Sequence, residues 1–309
     1  MEGAVFWIVF NLFVLALLAL DLFLLQRRPH ALRMGEALGW VGFWVGLAAI
    51  FAVLVYFWLG PQKTLEFVTG YLIEESLSVD NLFVFLVLFK YFHVERQYQH
   101  KVLFWGILGA LVMRGAFILA GVGLLRAFHW LIYVFGAFLV VTGLRLVRQQ
   151  EQIDPEKNWV LRLARRHLRV THQHHGARFF VHQDGRRLAT PLFLVLLVVE
   201  ATDVLFAADS IPAILAISQD PFIVYTSNVF AILGLRSLYF ALAGMMELFH
   251  HLHYGLAAIL VFIGVKMLIS SYVTIPIPVA LGVVASLLTL SITASIIFPP
   301  KPKDLESRP

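Results

Sequence analysis

The sequence contains no cysteine among its 309 residues, and charged side chains make up only 14% of it. The lack of cysteine excludes disulfide bonds, thiolate metal sites and cysteine nucleophiles. The shortage of charge accompanies a hydrophobic fraction of 60% and a mean hydropathy of +0.82, well above what a soluble domain of this length needs to fill its core. The surplus apolar side chains must face lipid, which predicts an integral membrane protein.

Two further absences narrow the function classes. No G-x-x-x-x-G-K-[ST] phosphate-binding motif occurs, so direct use of ATP is not expected. Because no cysteine is available and no histidine lies in the charged helices, an intramembrane hydrolase lacks a set of catalytic groups and we expect no enzyme activity. The isoelectric point near 9.5 does not indicate nucleic acid, because the basic residues lie beside helix ends, where anionic lipid headgroups account for them.

Apolar runs long enough to cross roughly 30 Å of hydrocarbon, at about 20 residues each, recur along the sequence. They predict an all-α integral membrane fold of about nine transmembrane helices. The expected helices cover residues 4–25, 38–59, 66–89, 102–125, 128–147, 191–217, 222–248, 254–272 and 276–298.

The distribution of basic residues predicts the orientation. The first apolar run has no basic residue before it and Arg27 and Arg28 directly after it, which is typical of a retained helix with its N-terminus outside. Loops on the expected cytoplasmic side are rich in Lys and Arg, whereas those on the other side hold only Lys63 and Arg126. We therefore expect a multi-pass protein of the bacterial inner membrane with an external N-terminus and a cytoplasmic C-terminus.

Residues 148–190 form a basic cytoplasmic insert, the only long stretch expected outside the membrane. Helical spacing of apolar residues within 158–170 predicts a basic amphipathic helix on the membrane surface. Residues 179–188 predict a small β-hairpin. The histidines of the insert leave metal binding and a solvated polar loop as alternatives. They are His167, His172, His174, His175 and His182.

Helices three to five and six to eight resemble one another, which predicts an inverted repeat. Residues 136–145 align without gaps to residues 257–266, and Arg114 of helix four matches Arg236 of helix seven. Because each unit has three helices, the second copy must cross the membrane in the opposite sense, as in many secondary transporters. The predicted organisation is peripheral helices in 1–65, the two repeats in 66–147 and 191–272, the insert in 148–190, and a ninth helix with a cytoplasmic tail in 273–309.

Six carboxylates fall within the central turns of helices three and six: Glu74, Glu75, Asp80, Glu200, Asp203 and Asp209. An ionised carboxylate at the bilayer centre costs roughly 2.5–3.5 kcal/mol, so the set needs compensation. Arg114 and Arg236 are candidate counter-charges in structural ion pairs, but two central bases cannot balance six acids. Protonation of several carboxyls and a purely structural role are the alternatives to a transport site.

Hydroxyl and amide oxygens accompany these acids, from Ser78, Asn81 and Ser210. Pro212 is expected to bend or open helix six so that Glu200 and Asp209 converge on one cavity. Oxygen ligands without Cys or His suit Mn²⁺, Mg²⁺ or Ca²⁺, although Zn²⁺ and Cu²⁺ would bind as well. The residues alone therefore indicate a divalent cation.

Three long charged segments, residues 70–85, 199–213 and 220–240, resemble the TerC family of integral membrane proteins, and most of all its Alx-type bacterial members. The resemblance spans nearly the whole chain and implies manganese homeostasis with export of Mn²⁺. It assigns the family's acids to Glu74, Asp80, Glu200, Asp203 and Asp209, with Glu75 beside them. A chloroplast relative is associated with assembly of thylakoid membrane proteins, so a shared fold does not fix the task.

The leading hypothesis is a secondary transporter that exports Mn²⁺ through a midplane site between helices three and six, whose carboxylates alternate between metal and protons as the repeats rock. Mn²⁺ is then the transported ion, and no permanently bound cofactor is expected. The alternative is a membrane-protein assembly or insertion factor, in which the insert contacts a translocon and the acids are structural. The expected partners are the lipid bilayer and the divalent cation, without nucleic acid, and a homo-oligomer is left open.

Overall fold

The computed structural model describes residues 2–26, 34–148, 161–163, 166, 170–171, 176–183, 186–243 and 252–297. These residues include nine helices of 17 or more residues and one β-hairpin. The helices are α1 (Glu2–Gln26), α2 (Met34–Leu59), α3 (Pro61–Tyr91), α4 (Arg96–Ala127), α5 (Leu131–Arg148), α6 (Pro191–Leu215), α7 (Pro221–Ala243), α8 (Leu252–Leu268) and α9 (Ile277–Ile297). The strands β1 (Phe180–Gln183) and β2 (Arg186–Ala189) pair antiparallel.

The helices carry the apolar surface of a membrane protein. Within the described residues, α2, α4, α6, α7 and α9 are long and apolar enough to cross a bilayer, and shorter apolar stretches lie in α1, α5 and α8. Large apolar side chains point outward, with Phe57 77% and Val112 70% exposed, and such a surface needs lipid to cover it. The chain is therefore a multi-pass, all-α membrane protein, and a crossing by all nine helices stays a prediction.

Local sequence explains where two central helices begin. Gly60 joins α2 to α3 with a φ of +86°, which glycine adopts readily, and Pro61 opens α3. Thr190 caps α6 by accepting a hydrogen bond from the Phe193 amide at 3.4 Å, and its hydroxyl donates to the Arg178 carbonyl at 2.7 Å. Consequently α3 follows α2 after a single residue, and the start of α6 is tied to the insert.

The helices that carry buried charge lie at the centre. α7 is largely buried and packs against α2, α3 and α4, while α6 packs against α3 and α4. α9 lies at the periphery against α3 and α8. In the predicted repeats α6 is the counterpart of α3, and α7 is the counterpart of α4. The packing of α3 on α7 thus corresponds to the packing of α6 on α4.

α5 and α8 cross at close range through glycines. A Cβ atom added at Gly136 would lie 2.9 Å from the carbonyl oxygen of Gly264, and one added at Gly264 would lie 2.6 Å from the oxygen of Gly136. Two turns along α5, a Cβ atom at Gly143 would lie 2.8 Å from the oxygen of Ala257. Since residue numbers rise along α5 as they fall along α8, the two helices run antiparallel.

The insert carries the predicted hairpin, in which Val181 is opposite Leu188. Lys101 of α4 donates to the Ala177 carbonyl at 2.6 Å and lies over the Phe179 ring at 4.5 Å, so the hairpin region contacts the start of α4. Of the predicted amphipathic helix, residues 161–163 are helical and most of the remainder lies outside the described residues. So do His167, His172, His174 and His175, whereas His182 is exposed in β1.

Candidate cation site

Arg114 is the centre of a buried polar cluster that joins four helices. It lies in the middle of α4, is only 2% exposed, and faces α3, α6 and α7. An arginine at this depth in a membrane protein costs roughly 2.5–3.5 kcal/mol or more unless its charge is compensated. Its partners therefore show how the fold meets that cost.

The first partner is Asp203 of α6. Nη2 of Arg114 donates to Oδ1 at 2.9 Å, and Nε donates to Oδ2 at 3.3 Å. Two parallel hydrogen bonds between a guanidinium and a carboxylate form the strongest geometry available to this pair. The bond fixes α4 to α6 at the level of the acids.

The remaining nitrogen, Nη1, faces α3 and α7. It donates to Asn228 Oδ1 at 3.0 Å, lies 3.4 Å from Ser210 Oγ, and forms an ion pair with Glu74 Oε1. Asn228 Nδ2 donates in turn to Glu74 Oε2 at 3.2 Å. Five oxygen atoms thus surround one guanidinium, two from Asp203 and one each from Glu74, Ser210 and Asn228.

This Arg114 cluster, comprising Glu74, Arg114, Asp203, Ser210 and Asn228, holds two carboxylates against one base. The side chains of Glu74 and Asp203 are 0% and 8% exposed, so a net charge of −1 is enclosed when both are ionised. Removing one partner of an enclosed ion pair costs about 3–5 kcal/mol, because the other charge is left uncompensated. Arg114 thus contacts one acid from each predicted repeat, Glu74 and Asp203, as expected of a counter-charge.

Glu200 and Asp209 do not join the cluster. The Glu200 carboxylate lies against Gly109 of α4, 2.1 Å from where a Cβ atom would stand, whereas the Asp209 carboxylate accepts a hydrogen bond from Thr142 of α5. α6 continues as a helix through Pro212 to Leu215. The expectation that these two acids converge is therefore wrong, because α6 stays helical through Pro212 and the two carboxylates lie against different helices.

Glu75 also points away from Arg114. Its carboxylate lies toward α2 and α7, near Trp44 and Gly234, and its Oε2 is buried without a hydrogen bond from any described residue. Neither Glu75, Glu200 nor Asp209 forms an ion pair within the described part of the chain. Three of the predicted acids are consequently buried or half-buried without a paired base among the described residues.

The other predicted residues divide between helices. Ser78 and Asn81 lie on the Glu74 face of α3 and are 1% and 4% exposed. The Ser78 hydroxyl is buried without a hydrogen-bond partner among the described residues. Asp80 lies within α3, and its side chain is outside the described part of the structure. Arg236 is buried in α7.

Within the described residues, no three His, Asp or Glu side chains converge closely enough to hold a metal ion. The oxygen atoms suited to a hard cation are instead mixed in type, combining carboxylate, amide and hydroxyl groups. They already contact a cationic group, the Arg114 guanidinium. The five predicted acids whose side chains the structure describes are therefore not gathered into one metal site, and the Arg114 cluster is the part of the prediction that the geometry brings together.

Asn228 is a cluster residue that the sequence interpretation did not select. It is 1% exposed and bridges Arg114 to Glu74. The available signal is an amide in the middle of an otherwise apolar helix, which in a membrane protein marks an interhelical hydrogen bond. The residue stands eight positions before Arg236 in α7.

A second polar cluster lies at the start of α3. Lys63 pairs with Glu66 at 2.9 Å and with Asp220 at 3.3 Å, and the Ser218 hydroxyl donates to Glu66. Asp220 also caps α7 by accepting the Phe222 amide at 3.0 Å. Burial lowers the pKa of Lys63, but its bond to Glu66 and the charges of both acids outweigh burial and raise that pKa above its ordinary value. This end of α3 is thereby tied to the loop between α6 and α7.

Comparison with known proteins identifies the chain. The family described as "Integral membrane protein TerC family" matches residues 59–303. The chain belongs to the TerC family. The match includes α3 to α9 and every residue of the Arg114 cluster.

Relatives of this TerC protein cover nearly its whole length. The membrane protein STKORF319 of Myxococcus xanthus, which is described as uncharacterized, is 54% identical over 292 residues, or 94% of this chain and 92% of that protein. Alx of Salmonella typhi is 49% identical over 297 residues (93% and 92%), and Alx of Escherichia coli K12 is 47% identical over 295 residues (92% and 92%). Both Alx proteins carry a provisional description as membrane-bound redox modulators. No solved structure matches the chain.

Proposed function

We propose that this TerC-family protein is a secondary transporter that exports a divalent cation, with Mn²⁺ as the leading candidate, through the Arg114 cluster. The protein lies in the bacterial inner membrane with its N-terminus outside and its C-terminus in the cytoplasm. The cation is cargo, and the proposal needs neither a permanent cofactor nor an enzymatic step.

The meeting of Glu74 and Asp203 at one guanidinium supports transport most directly. Glu74 belongs to α3 and Asp203 to α6, the first helices of the two predicted repeats, and both side chains are buried. In inverted-repeat transporters the substrate site lies near the midplane where the repeats meet. The cluster has that position relative to the predicted repeats.

The packing of α5 on α8 supports the inverted repeat. The alignment pairs Gly136 with Ala257 and Gly143 with Gly264, whereas the contacts join Gly136 to Gly264 and Gly143 to Ala257. Each contact between the two copies is thus repeated by the counterparts of its two residues. This repetition is expected for units related by a two-fold axis. The matched helix pairs α3–α7 and α6–α4 follow the same relation.

The charge balance favours a functional role over a purely structural one. Arg114 serves two acids, and Glu75, Glu200 and Asp209 form no ion pair within the described residues. A network selected only for stability would gain from apolar replacements, since a buried ion pair is often no better than well-packed apolar side chains. Buried acids that lack bases are expected where a cation must enter and leave.

The chemistry of the cluster favours a hard cation. Carboxylate, amide and hydroxyl oxygens suit Mn²⁺, Mg²⁺ and Ca²⁺, and manganese is first among them because of the family resemblance. The redox description of the Alx relatives offers no thiol mechanism for this chain, because the chain contains no cysteine. Metal transport needs no redox-active side chain.

The proposal is tested by cell manganese. Manganese-stressed bacteria that lack their own exporters are given the intact protein, Glu74→Gln or Asp203→Asn, at matched membrane expression, and total manganese is measured. The intact protein is expected to lower manganese and both variants to fail. Glu95→Gln, the same change at an exposed loop acid, is the matched control and should behave as the intact protein. Equal manganese in all strains would reject export.

A further inference from the structure

We infer that Arg114 is a tethered cation that occupies the substrate site when no metal ion is bound, and that the transported ion displaces it. This inference rests on the proposed function and adds how the site is filled and emptied. It differs from a structural ion pair because it requires the guanidinium to leave in each transport cycle.

The guanidinium already sits where a cation would. Its nitrogens contact five oxygen atoms from α3, α6 and α7, and the distances given for the Asp203, Asn228 and Ser210 contacts are 2.9–3.4 Å. These oxygens are of the types that ligate hard divalent cations. Arg114 therefore occupies a set of oxygen ligands that is also suited to a divalent cation.

The Ser78 hydroxyl, which forms no hydrogen bond with the guanidinium, follows Glu74 in α3. Ser78 follows Glu74 by one turn on the same face of α3, and its hydroxyl is 1% exposed with no hydrogen bond to a described residue. A buried hydroxyl without a hydrogen-bond partner is destabilising. A metal ion at Glu74 would give that oxygen a partner.

The charges favour a divalent ion as the displacing species. Glu74 and Asp203 supply two negative charges, so the cluster carries −1 with Arg114 and would be neutral with M²⁺ in its place. A monovalent ion has the same charge as the guanidinium, so the cluster would stay at −1, and the two parallel hydrogen bonds between Arg114 and Asp203 would be lost. Exchange is therefore expected to select divalent over monovalent cations.

Glu200 is the expected acceptor of the displaced guanidinium. It lies one turn from Asp203 on α6 and contacts α4 at Gly109, five residues before Arg114. It forms no ion pair with a described residue. The arginine could therefore pass from Asp203 to Glu200 without being left unpaired in the membrane.

The test is competition for Mn²⁺, measured on purified protein in detergent from the EPR amplitude of free Mn²⁺. Arg114→Ala is expected to bind Mn²⁺ at least tenfold more tightly than the intact protein, because the tethered competitor is gone and both acids remain. Added guanidinium chloride at millimolar concentration should weaken Mn²⁺ binding to Arg114→Ala by filling the vacated place, and should have little effect on the intact protein. Arg126→Ala, at an exposed position of α4, is the control.

The outcomes separate this inference from the proposed function. If Arg114→Ala elutes as a folded species but binds Mn²⁺ no more tightly, or guanidinium does not compete, Arg114 is structural and the inference is wrong while export can still hold. If Arg114→Ala does not fold, Arg114→Lys, which keeps the charge without the fork, must bind Mn²⁺ more tightly than the intact protein or the inference is rejected. Absence of Mn²⁺ binding and of manganese export together would reject the proposed function itself.

Discussion

Gly136 of α5 and Gly264 of α8 lie so close that neither has room for a Cβ atom. A Cβ atom at Gly136 would lie 2.9 Å from the carbonyl oxygen of Gly264, and one at Gly264 would lie 2.6 Å from that of Gly136. The contact joins the third helix of one predicted repeat to the third helix of the other. Because these distances involve backbone atoms, neither side can yield without moving a helix.

Gly264→Ala should therefore destabilise the protein by about 1–3 kcal/mol, the usual cost of overpacking a core. The measurement is the apparent Tm in detergent by intrinsic tryptophan fluorescence. Gly282→Ala in α9 is the control, since no atom lies within 4 Å of its Cβ position, and it should leave Tm nearly unchanged. Equal Tm values for the two variants would mean that α5 and α8 do not cross as described.

Gly109→Ala tests the position of Glu200. A Cβ atom there would overlap the Glu200 carboxylate, 2.1 Å from Oε1, and the flexible acid can move aside at little cost in stability. Manganese transport should nevertheless fall about tenfold, corresponding to about 1.4 kcal/mol, because the acceptor for Arg114 is displaced. Gly123→Ala, in the same helix with open space around it, should transport normally. A Gly109→Ala variant with normal transport would remove Glu200 from the mechanism.

Asn228→Leu should lower both stability and Mn²⁺ affinity. The change removes the amide that joins Arg114 Nη1 to Glu74 Oε2, and the loss of a partner for the buried Glu74 oxygen costs about 1–3 kcal/mol. Thr226→Val is the matched control, since the Thr226 hydroxyl bonds the Phe222 carbonyl of its own helix at 2.8 Å. Thermal unfolding and EPR titration measure the two effects. A drop in Tm without a change in Mn²⁺ affinity would limit Asn228 to packing.

The absence of cysteine allows a clean test of orientation. The contact between Lys63 and Asp220 places the start of α3 and the loop before α7 at one end of the molecule, which the basic-residue pattern predicts to be external. In intact spheroplasts, a membrane-impermeant maleimide should label Gln219→Cys but not Gln97→Cys, and lysis should expose the second. Labelling in the opposite order would invert the predicted topology.

The sequence predicts the helices well and the site only in part. Apolar runs follow from the thickness of the bilayer, and the observed helix ends lie within six residues of the expected ones where the structure describes them. The hairpin of the insert was likewise predictable, because a short apolar pattern flanks an Asp-Gly pair.

Which acids share a site was not predictable from spacing alone. Residue spacing shows that the side chains of Glu74 and Glu75 point to different sides of α3. Which of them faces Arg114 and which lies near Trp44 depends on how the neighbouring helices are rotated. Asn228 was missed for the same reason, since one amide in α7 gains its role only from the two charges that packing brings to it. The convergence expected from a bend beside Asp209 failed because α6 continues as a helix through Pro212 to Leu215.

Mn²⁺ flux into proteoliposomes measures transport through the Arg114 cluster itself, with the purified protein reconstituted around a manganese-quenched dye and compared with Asp203→Asn and Glu95→Gln. Saturable flux is expected for the intact protein and for Glu95→Gln, and flux at the level of empty liposomes for Asp203→Asn. Flux that survives in Asp203→Asn, or no flux with the intact protein under an imposed manganese gradient, would contradict a transport path through the Arg114 cluster.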